Sequence, residues 1–252
     1  MSDSHILIER PENHVGVLVI RFNRPEKKNA ITSAMYHRMT AALKEANADD
    51  AIRAVAFLGT EGCFSAGNDM ADFLGFALSG SDEVPAAANF IKALALAEKP
   101  LVSGVDGLAI GIGATLHLHC DMTVASPRSL FKTPFVDLAL VPEAASSLLA
   151  PRIMGHQRAF AMLVAGETFS AEAALQAGLI WKLVAPEAVE AETLALARSL
   201  ATKPPQALKI ARELVRGPRD EVLARMDEEL VHFSAQLKSA EAQAAFQAFM
   251  RR

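Results

Sequence analysis

Two short apolar runs, Val55 to Leu58 and Leu101 to Val105, each lead into a stretch of small residues. The first stretch is Phe64-Ser65-Ala66-Gly67-Asn68-Asp69-Met70, and the second is Val105-Asp106-Gly107-Leu108-Ala109-Ile110-Gly111-Ile112-Gly113. A run of this length reads as a buried strand, and each small-residue stretch opens toward a helix. Strand followed by turn followed by helix, twice over, commits the chain to an α/β layered core. Two such turns side by side aim two backbone N–H groups at one point, which is how proteins build a pocket for a developing negative oxygen.

The rest of the chain extends that pattern. Ile6 to Arg10 and Val15 to Phe22 are rich in β-branched residues around the turn Pro11-Glu12-Asn13-His14. Met35, Met39 and Leu43 recur at fourfold spacing and predict a helix over Ser33 to Asn47. Further helices are predicted at Ala86–Ala97 and from Gly111 to Cys120, with strands near Met122–Ala125 and Leu130–Phe131. From Pro142 onward the sequence reads as helix, broken near Leu179–Val184. Pro204-Pro205 opens one helix, as proline suits a first turn, and Gly217-Pro218 separates it from a helix over Asp220–Leu237. Ala240 to Arg252 forms a last amphipathic helix with Phe246 and Phe249 on its apolar side. The sequence contains no internal repeat.

Composition removes several classes of function. With 252 residues, 51% hydrophobic and 21% charged, the chain can bury a large core. A net charge of −4 argues against nucleic acid as the main partner. Cys63 and Cys120 make no disulfide framework, and the chain reads as cytoplasmic. Met1-Ser2-Asp3-Ser4-His5 lacks a signal-peptide pattern, and no apolar run approaches the roughly 20 residues of a membrane helix. No membrane partner is expected.

Several residues admit a chemical and a structural reading. Gly107, Gly111 and Gly113 lie between a strand and a helix, but Leu116 stands where a dinucleotide fingerprint needs a further glycine, and no Gly-Lys-Ser/Thr follows. The same turn suits an enolate or carbonyl oxygen at a helix N-terminus, or simply close packing. His117 and His119 beside Cys120 and Asp121 suggest a metal, but residues two apart on a helix do not share a face, so no metal site is expected. No Gly-x-Ser-x-Gly elbow supports a serine hydrolase. Glu143 stands in the otherwise uncharged run Val141-Pro142-Glu143-Ala144-Ala145-Ser146-Ser147. It reads either as a first-turn acid complementing a helix dipole or as a desolvated base suited to a carbon-bound proton. Asp69 and Asp137 compete for that role, Asp69 being better placed as a helix cap. Ser79 to Pro85 is polar and turn-rich, and reads as a surface loop or a flap.

Four segments together resemble the crotonase, or enoyl-CoA hydratase/isomerase, superfamily. They are Asn23-Arg24-Pro25-Glu26-Lys27-Lys28-Asn29-Ala30, the turn Phe64 to Met70, the stretch Val105 to Asp121, and Phe131-Lys132-Thr133-Pro134-Phe135 through Pro151-Arg152-Ile153-Met154-Gly155. Within it, the sequence is most similar to the peroxisomal-type delta-3,delta-2-enoyl-CoA isomerases and their bacterial relatives. The resemblance implies a spiral of β-β-α units over residues 1–200 and a helical C-terminal trimerisation region over 201–252, assembled as a homotrimer or homohexamer. It implies an acyl-CoA thioester substrate, with coenzyme A entering as part of it and no separate cofactor, in the setting of fatty-acid metabolism.

Residue by residue, the resemblance makes the Asn68 and Ile112 N–H groups the oxyanion-hole donors. It puts Ala66, with its neighbours Gly67, Asp69 and Met70, at the adenine pocket, Lys28 and Ala30 at the approach for the nucleotide end, and Gly111 beside the substrate. Hydratases of the superfamily use two glutamates, and laying this chain on that pattern puts Thr115 and Phe135 at their positions. Glu143 falls where the isomerases carry a single catalytic glutamate. The resemblance therefore implies a double-bond shift with Glu143 as the one base. A hydratase or related lyase, with Asp137 or Glu83 as second acid, and a non-catalytic acyl-CoA-binding protein are the alternatives.

Overall fold

The computed structural model describes residues 5–72, 75 and 85–250, with Phe249 and Met250 as backbone only. The segment read as a loop or flap, apart from Pro85, lies outside the described residues, as do Glu83, Met1 to Ser4 and the terminal Arg251 and Arg252.

Among the described residues, ten strands form two sheets. Strands β1 (Ile6–Glu9), β2 (Val17–Phe22), β3 (Ala54–Leu58), β5 (Leu101–Val105), β7 (Met122–Ala125) and β10 (Lys182–Leu183) make the larger sheet, in the order β1-β2-β3-β5-β7-β10. Strands β4 (Cys63–Ser65), β6 (Leu108–Ile110), β8 (Leu130–Lys132) and β9 (Phe169–Ser170) make the smaller one, in that order. β3, β5 and β7 join the large sheet, and the strand that follows each of them joins the small one. A helical segment comes next in each unit, so the chain advances as the expected spiral of β-β-α units.

The large sheet shows why its strands read as continuous apolar runs. Leu18, Ile20 and Phe22 of β2 and Val55 and Phe57 of β3 face the main core, with helices α1 (Ser33–Ala48) and α2 (Ala86–Ala95) packed there. The alternate residues Val17, Val19, Ala54, Ala56 and Leu58 face a second cluster with Leu194, Ala197 and Ala201 of the helix Val189–Ala201. Parallel strands covered on both faces lose the polar alternation of a one-sided sheet.

Helix α1 matches the predicted span and begins at Thr32, whose side chain accepts from Met35 N–H. The helix predicted from Gly111 to Cys120 is shorter: one turn, α3 (Ile112–Thr115), tightens into a 3-10 turn at Leu116–His119. Asp121 N–H bonds Leu101 O at 2.7 Å and Met122 pairs opposite Val102, so the chain is already extended at Cys120 and the helix ends in a 3-10 turn, as helix termini commonly do. The break near Leu179–Val184 contains β10, which pairs parallel with β7. Helices α4 (Ser146–Met154), α5 (His156–Leu163), α6 (Ala171–Gln176), α7 (Val189–Ala201), α8 (Pro205–Arg216), α9 (Arg219–Leu237) and α10 (Ala240–Met250) complete the chain. Pro205 is the first residue of α8, as the sequence led us to expect. Among the described residues no helix is long and apolar enough to cross a membrane.

One ion cluster ties α8 to the sheet. Asp121 accepts from Arg212 Nε at 2.8 Å, from Arg216 Nε at 2.9 Å and from Leu101 N–H at 2.8 Å. Arg212 is buried and also donates to Ala97 O, while Arg216 donates to His119 O. Removing the carboxylate leaves a buried guanidinium uncompensated. Asp121→Ala is therefore expected to cost roughly 3 kcal/mol, read as a lower urea midpoint with an unchanged m-value. An unchanged midpoint would show that the cluster is dispensable.

Candidate active site

The two small-residue turns meet at the ends of neighbouring strands of the small sheet. β4 and β6 run parallel, so the residues just beyond them, Ala66 to Asn68 and Gly111 to Ile112, emerge side by side. Gly67 has φ +88°, and a Cβ there would lie 2.9 Å from the Ile110 carbonyl oxygen. A Cβ on Gly113 would come equally close to Ser65 O. The glycines thus serve close packing, and that packing is what brings the turns together.

Both turns border one mostly apolar cavity of about 650 Å³, lined in part by Ala66, Gly67, Asn68, Met70, Gly111 and Ile112. Glu143 lines it as well, and Phe233 and Phe246 of the C-terminal helices face it from the other side. Ile112 is the first residue of α3, a position whose N–H has no intrahelical acceptor. Among the described residues, neither the Asn68 nor the Ile112 amide donates to a protein group.

The first turn is braced by polar bonds. Ser65 Oγ donates to Asn29 O at 2.9 Å and accepts from Gly67 N–H at 3.1 Å. Buried Asn29 donates through Nδ2 to Thr60 Oγ1, Cys63 O and Phe64 O. Tyr36 of α1 donates to Asn68 Oδ1 at 2.5 Å. Burial, with Glu143 adding to it, pushes the Tyr36 hydroxyl well above its ordinary value, so it stays protonated as a donor.

Lys28, Ala30 and Asp69 are not among the cavity-lining residues. Lys28 and Ala30 lie along the first turn: Lys28 O accepts from Ala66 N–H at 2.9 Å, and the Lys28 side chain is exposed. Asp69 acts as the expected cap, accepting from Ala71 and Asp72 N–H at 3.1 Å and pairing with Arg24 at 2.6 Å. Burial pushes the Asp69 carboxyl up, but Arg24 and the two amides outweigh it and hold it below its ordinary value. Thr115 and Phe135, which the resemblance sets at the two hydratase positions, carry no carboxylate. Thr115 is buried away from the lining, and Phe135 is part of it.

Glu143 is half-buried, and its Oε1 is enclosed with no donor among the described residues. Burial pushes its carboxyl up to about 8, and the negative charge of Glu229 adds to this. The next two residues, Ala144 and Ala145, have φ +63° and +53°, a left-handed conformation that costs of order 1 kcal/mol for each non-glycine residue. Asp137 also borders the cavity but pairs with Lys132 at 3.4 Å.

The two histidines take structural bonds. His117 Nδ1 lies 2.9 Å from Ser103 Oγ, and His119 Nε2 lies 2.7 Å from Ala144 O, on the turn that carries Glu143. Burial pushes them down to about 3 and about 4, so both are neutral. Among the described residues, no group of three or more His, Cys, Asp and Glu is placed to hold a metal. Tyr36 and Glu229 are contributors to this site that the sequence reading missed, and it weighed His119 only for a metal. Their bonds span 25 to 84 residues, and no local pattern marks such contacts.

The sequence pattern of the Enoyl-CoA hydratase/isomerase family matches residues 12–252. The chain is 37% identical over 222 residues to rat (Rattus norvegicus) Enoyl-CoA delta isomerase 2, covering 85% of this chain and 56% of that protein. The chain thus spans about half the length of that curated relative. Among solved structures it resembles Pseudomonas aeruginosa OdaA, at 40% identity and a TM-score of 0.92 over 99% of this chain and 100% of that one. It also resembles an enoyl-CoA hydratase/isomerase from Pseudoalteromonas atlantica T6c, at 38% identity and a TM-score of 0.91 over 98% and 97% of the two chains. A crotonase-type spiral, paired turns beside one cavity and a family match from residue 12 to the end lead to one conclusion: the chain belongs to the enoyl-CoA hydratase/isomerase family.

Proposed function

We propose that the chain is an enoyl-CoA isomerase, converting a 3-enoyl-CoA to the 2-trans-enoyl-CoA with Glu143 as its one acid–base group. The observation that carries this reading is a carboxylate whose enclosed Oε1 finds no donor among the described residues, in a cavity that two backbone amides without acceptors there also border. In this mechanism Glu143 takes a proton from C2 of the thioester. The electrons pass into a dienolate whose oxygen accepts from Asn68 and Ile112 N–H, and each such donor contributes roughly 3 kcal/mol to lowering the barrier. Glu143 then returns the proton to C4, leaving the double bond between C2 and C3 and the carboxylate restored. One base suffices because the proton leaves and re-enters the same molecule. Adding water calls for a second group, and the two family positions that supply it hold Thr115 and Phe135.

Lys28 and Ala30, with Ala66, Gly67, Asp69 and Met70, border the proposed path of the nucleotide end. An ammonium at Lys28 suits CoA phosphate as a point charge. Assembly as a homotrimer or homohexamer is supported by the exposed apolar side chains Leu214 and Val215 of α8 and Val231 of α9. A hydratase or lyase remains the second reading because Asp137 borders the same cavity.

A paired assay decides between these readings. With 3-trans-hexenoyl-CoA and crotonyl-CoA as substrates, the protein is expected to isomerise the first and not hydrate the second. Glu143→Gln is expected to lower kcat about 10³-fold. Hydration of crotonyl-CoA that survives Glu143→Gln would overturn both the carboxylate and the reaction.

The pH dependence follows from the raised carboxyl. Only the ionised form accepts a proton, so kcat/KM is expected to rise about tenfold per pH unit up to an inflection near 8 and to level off above it. Stability runs the other way. Between the ordinary value of 4.5 and about 8, the native state holds a proton that the unfolded chain has released, so stability falls as pH rises. Glu143→Gln is therefore expected to be at least as stable as the parent at pH 9 in chemical denaturation. A large loss of stability would mean that the carboxylate has a structural partner.

A further inference from the structure

The turn that carries Glu143 is held by a side chain from a distant helix. Ala145 occupies the N-cap position of α4 and has no side-chain acceptor to offer the first amides of that helix. The acceptor comes from α9. Glu229, buried, accepts from Ala145 N–H through Oε2 at 2.6 Å and from Ser147 N–H through Oε1 at 3.0 Å. The Ser147 hydroxyl donates to Oε1 at 2.5 Å, and Arg225 donates to that hydroxyl oxygen at 3.2 Å. On the other side of the turn, His119 Nε2 bonds Ala144 O. The two consecutive left-handed alanines are therefore gripped at Ala144 O and at Ala145 N–H by groups from two different elements.

We infer that Glu229 is a positioning residue for Glu143: its bonds to Ala145 and Ser147 hold the strained turn that aims Glu143 into the cavity, and its negative charge acts on that carboxylate across the turn. An ordinary cap would need only a serine or aspartate at position 145. A buried carboxylate 84 residues away in sequence from Ala145 does the same capping and adds a charge beside the group that moves the proton. Three donors to its two oxygens suit the anion, although burial itself pushes the Glu229 carboxyl up.

The other described ionisable groups that line the Glu143 cavity or couple to Glu143 are paired or uncharged. Tyr36 from α1 couples to it electrostatically and stays protonated, and His119 from the 3-10 turn is neutral. Lys132 and Asp137, which share the cavity, form an ion pair, as do Arg225 and Glu228 on α9. Among the described residues, Glu229 is the anion whose charge raises the Glu143 carboxyl, so its removal changes the charge facing Glu143.

The inference rests on Glu143 as the proton-moving group, so the test includes a readout that needs no turnover. The Glu143 carboxyl is titrated by 13C NMR, with its resonance assigned by loss in Glu143→Gln, in the parent protein, Glu229→Gln and Glu229→Asp. Amide exchange at Ala145 and Ser147 is measured alongside. Glu229→Gln is expected to move the Glu143 inflection down by at least half a pH unit. With 3-trans-hexenoyl-CoA it is expected to move the kcat/KM inflection with it and to lower plateau kcat about tenfold, with little change in KM. Glu229→Asp keeps the charge on a shorter arm, so it is expected to keep the inflection while exchange at one of the two amides speeds up.

An inflection and plateau kcat unchanged in Glu229→Gln would reduce Glu229 to an ordinary cap and overturn the inference. Should Glu229→Gln not fold, a Glu229→Asp variant with parental exchange and parental kcat would do the same. A shifted NMR inflection in a protein that turns over no 3-enoyl-CoA would uphold the positioning role and overturn the isomerase reading instead.

Discussion

Between Gly67 and the carbonyl of Ile110 there is room for a hydrogen and nothing larger, and the organisation of the site depends on that contact. It allows β4 and β6 to end together, so that the amides of Asn68 and Ile112 open onto one cavity. The larger sheet provides the platform. Its central strands are covered on both faces, and β3, β5 and β7 each send the chain directly into the small sheet. The two proposed amide donors belong to the backbone, so their placement comes from strand register and from the absence of a Cβ. A side-chain substitution reaches them only by moving the turns.

Glu143 is held on different terms. It lies outside both sheets, on a turn whose next two residues are left-handed alanines, in a stretch with no regular ladder to fix it. Such a conformation persists only when its surroundings over-determine it, and here His119 and Glu229 supply the bonds. The carboxylate pays for its position in desolvation, which raises its proton affinity into the range where a base operates near neutral pH. Rigidity around the group and discomfort of the group itself have one origin, since the described residues that enclose Glu143 leave Oε1 without a donor.

How much of this was legible in the sequence varies with the length scale of the cause. Strands β2, β3, β5 and β7 and helix α1 were legible because burial on two faces or on one stripe leaves a local pattern. β4, β6 and β9 were not, because two or three residues carry no periodicity; what marks β4 and β6 is the turn that follows each. The spiral has no sequence repeat for the same reason. What recurs is the path between two sheets, and different side chains fill each unit. Asp69 was readable as a cap because capping is local. Glu143 was readable as an unusual carboxylate, but composition and spacing left its structural and chemical readings open, and the family resemblance favoured one of them. Tyr36 and Glu229 could not be read at all, since their partners lie 32 and 82 to 84 residues away.

These two kinds of constraint separate what is fixed in this architecture from what is free. The two amides depend on glycine packing rather than on side chains, and the cavity wall beside them is lined largely by apolar residues such as Phe135 and Leu138. A carboxylate held on a strained turn needs its own supporting bonds, and these must arise wherever the carboxylate does. Placing a carboxylate on the turn before α4 therefore requires more than one residue. It requires a glutamate at 143, an acceptor for Ala145 N–H and a donor to Ala144 O, and in this chain the acceptor is supplied by α9 and the donor by the 3-10 turn after α3. How Glu143 is presented to the cavity then depends less on the spiral than on the distant side chains that brace its turn.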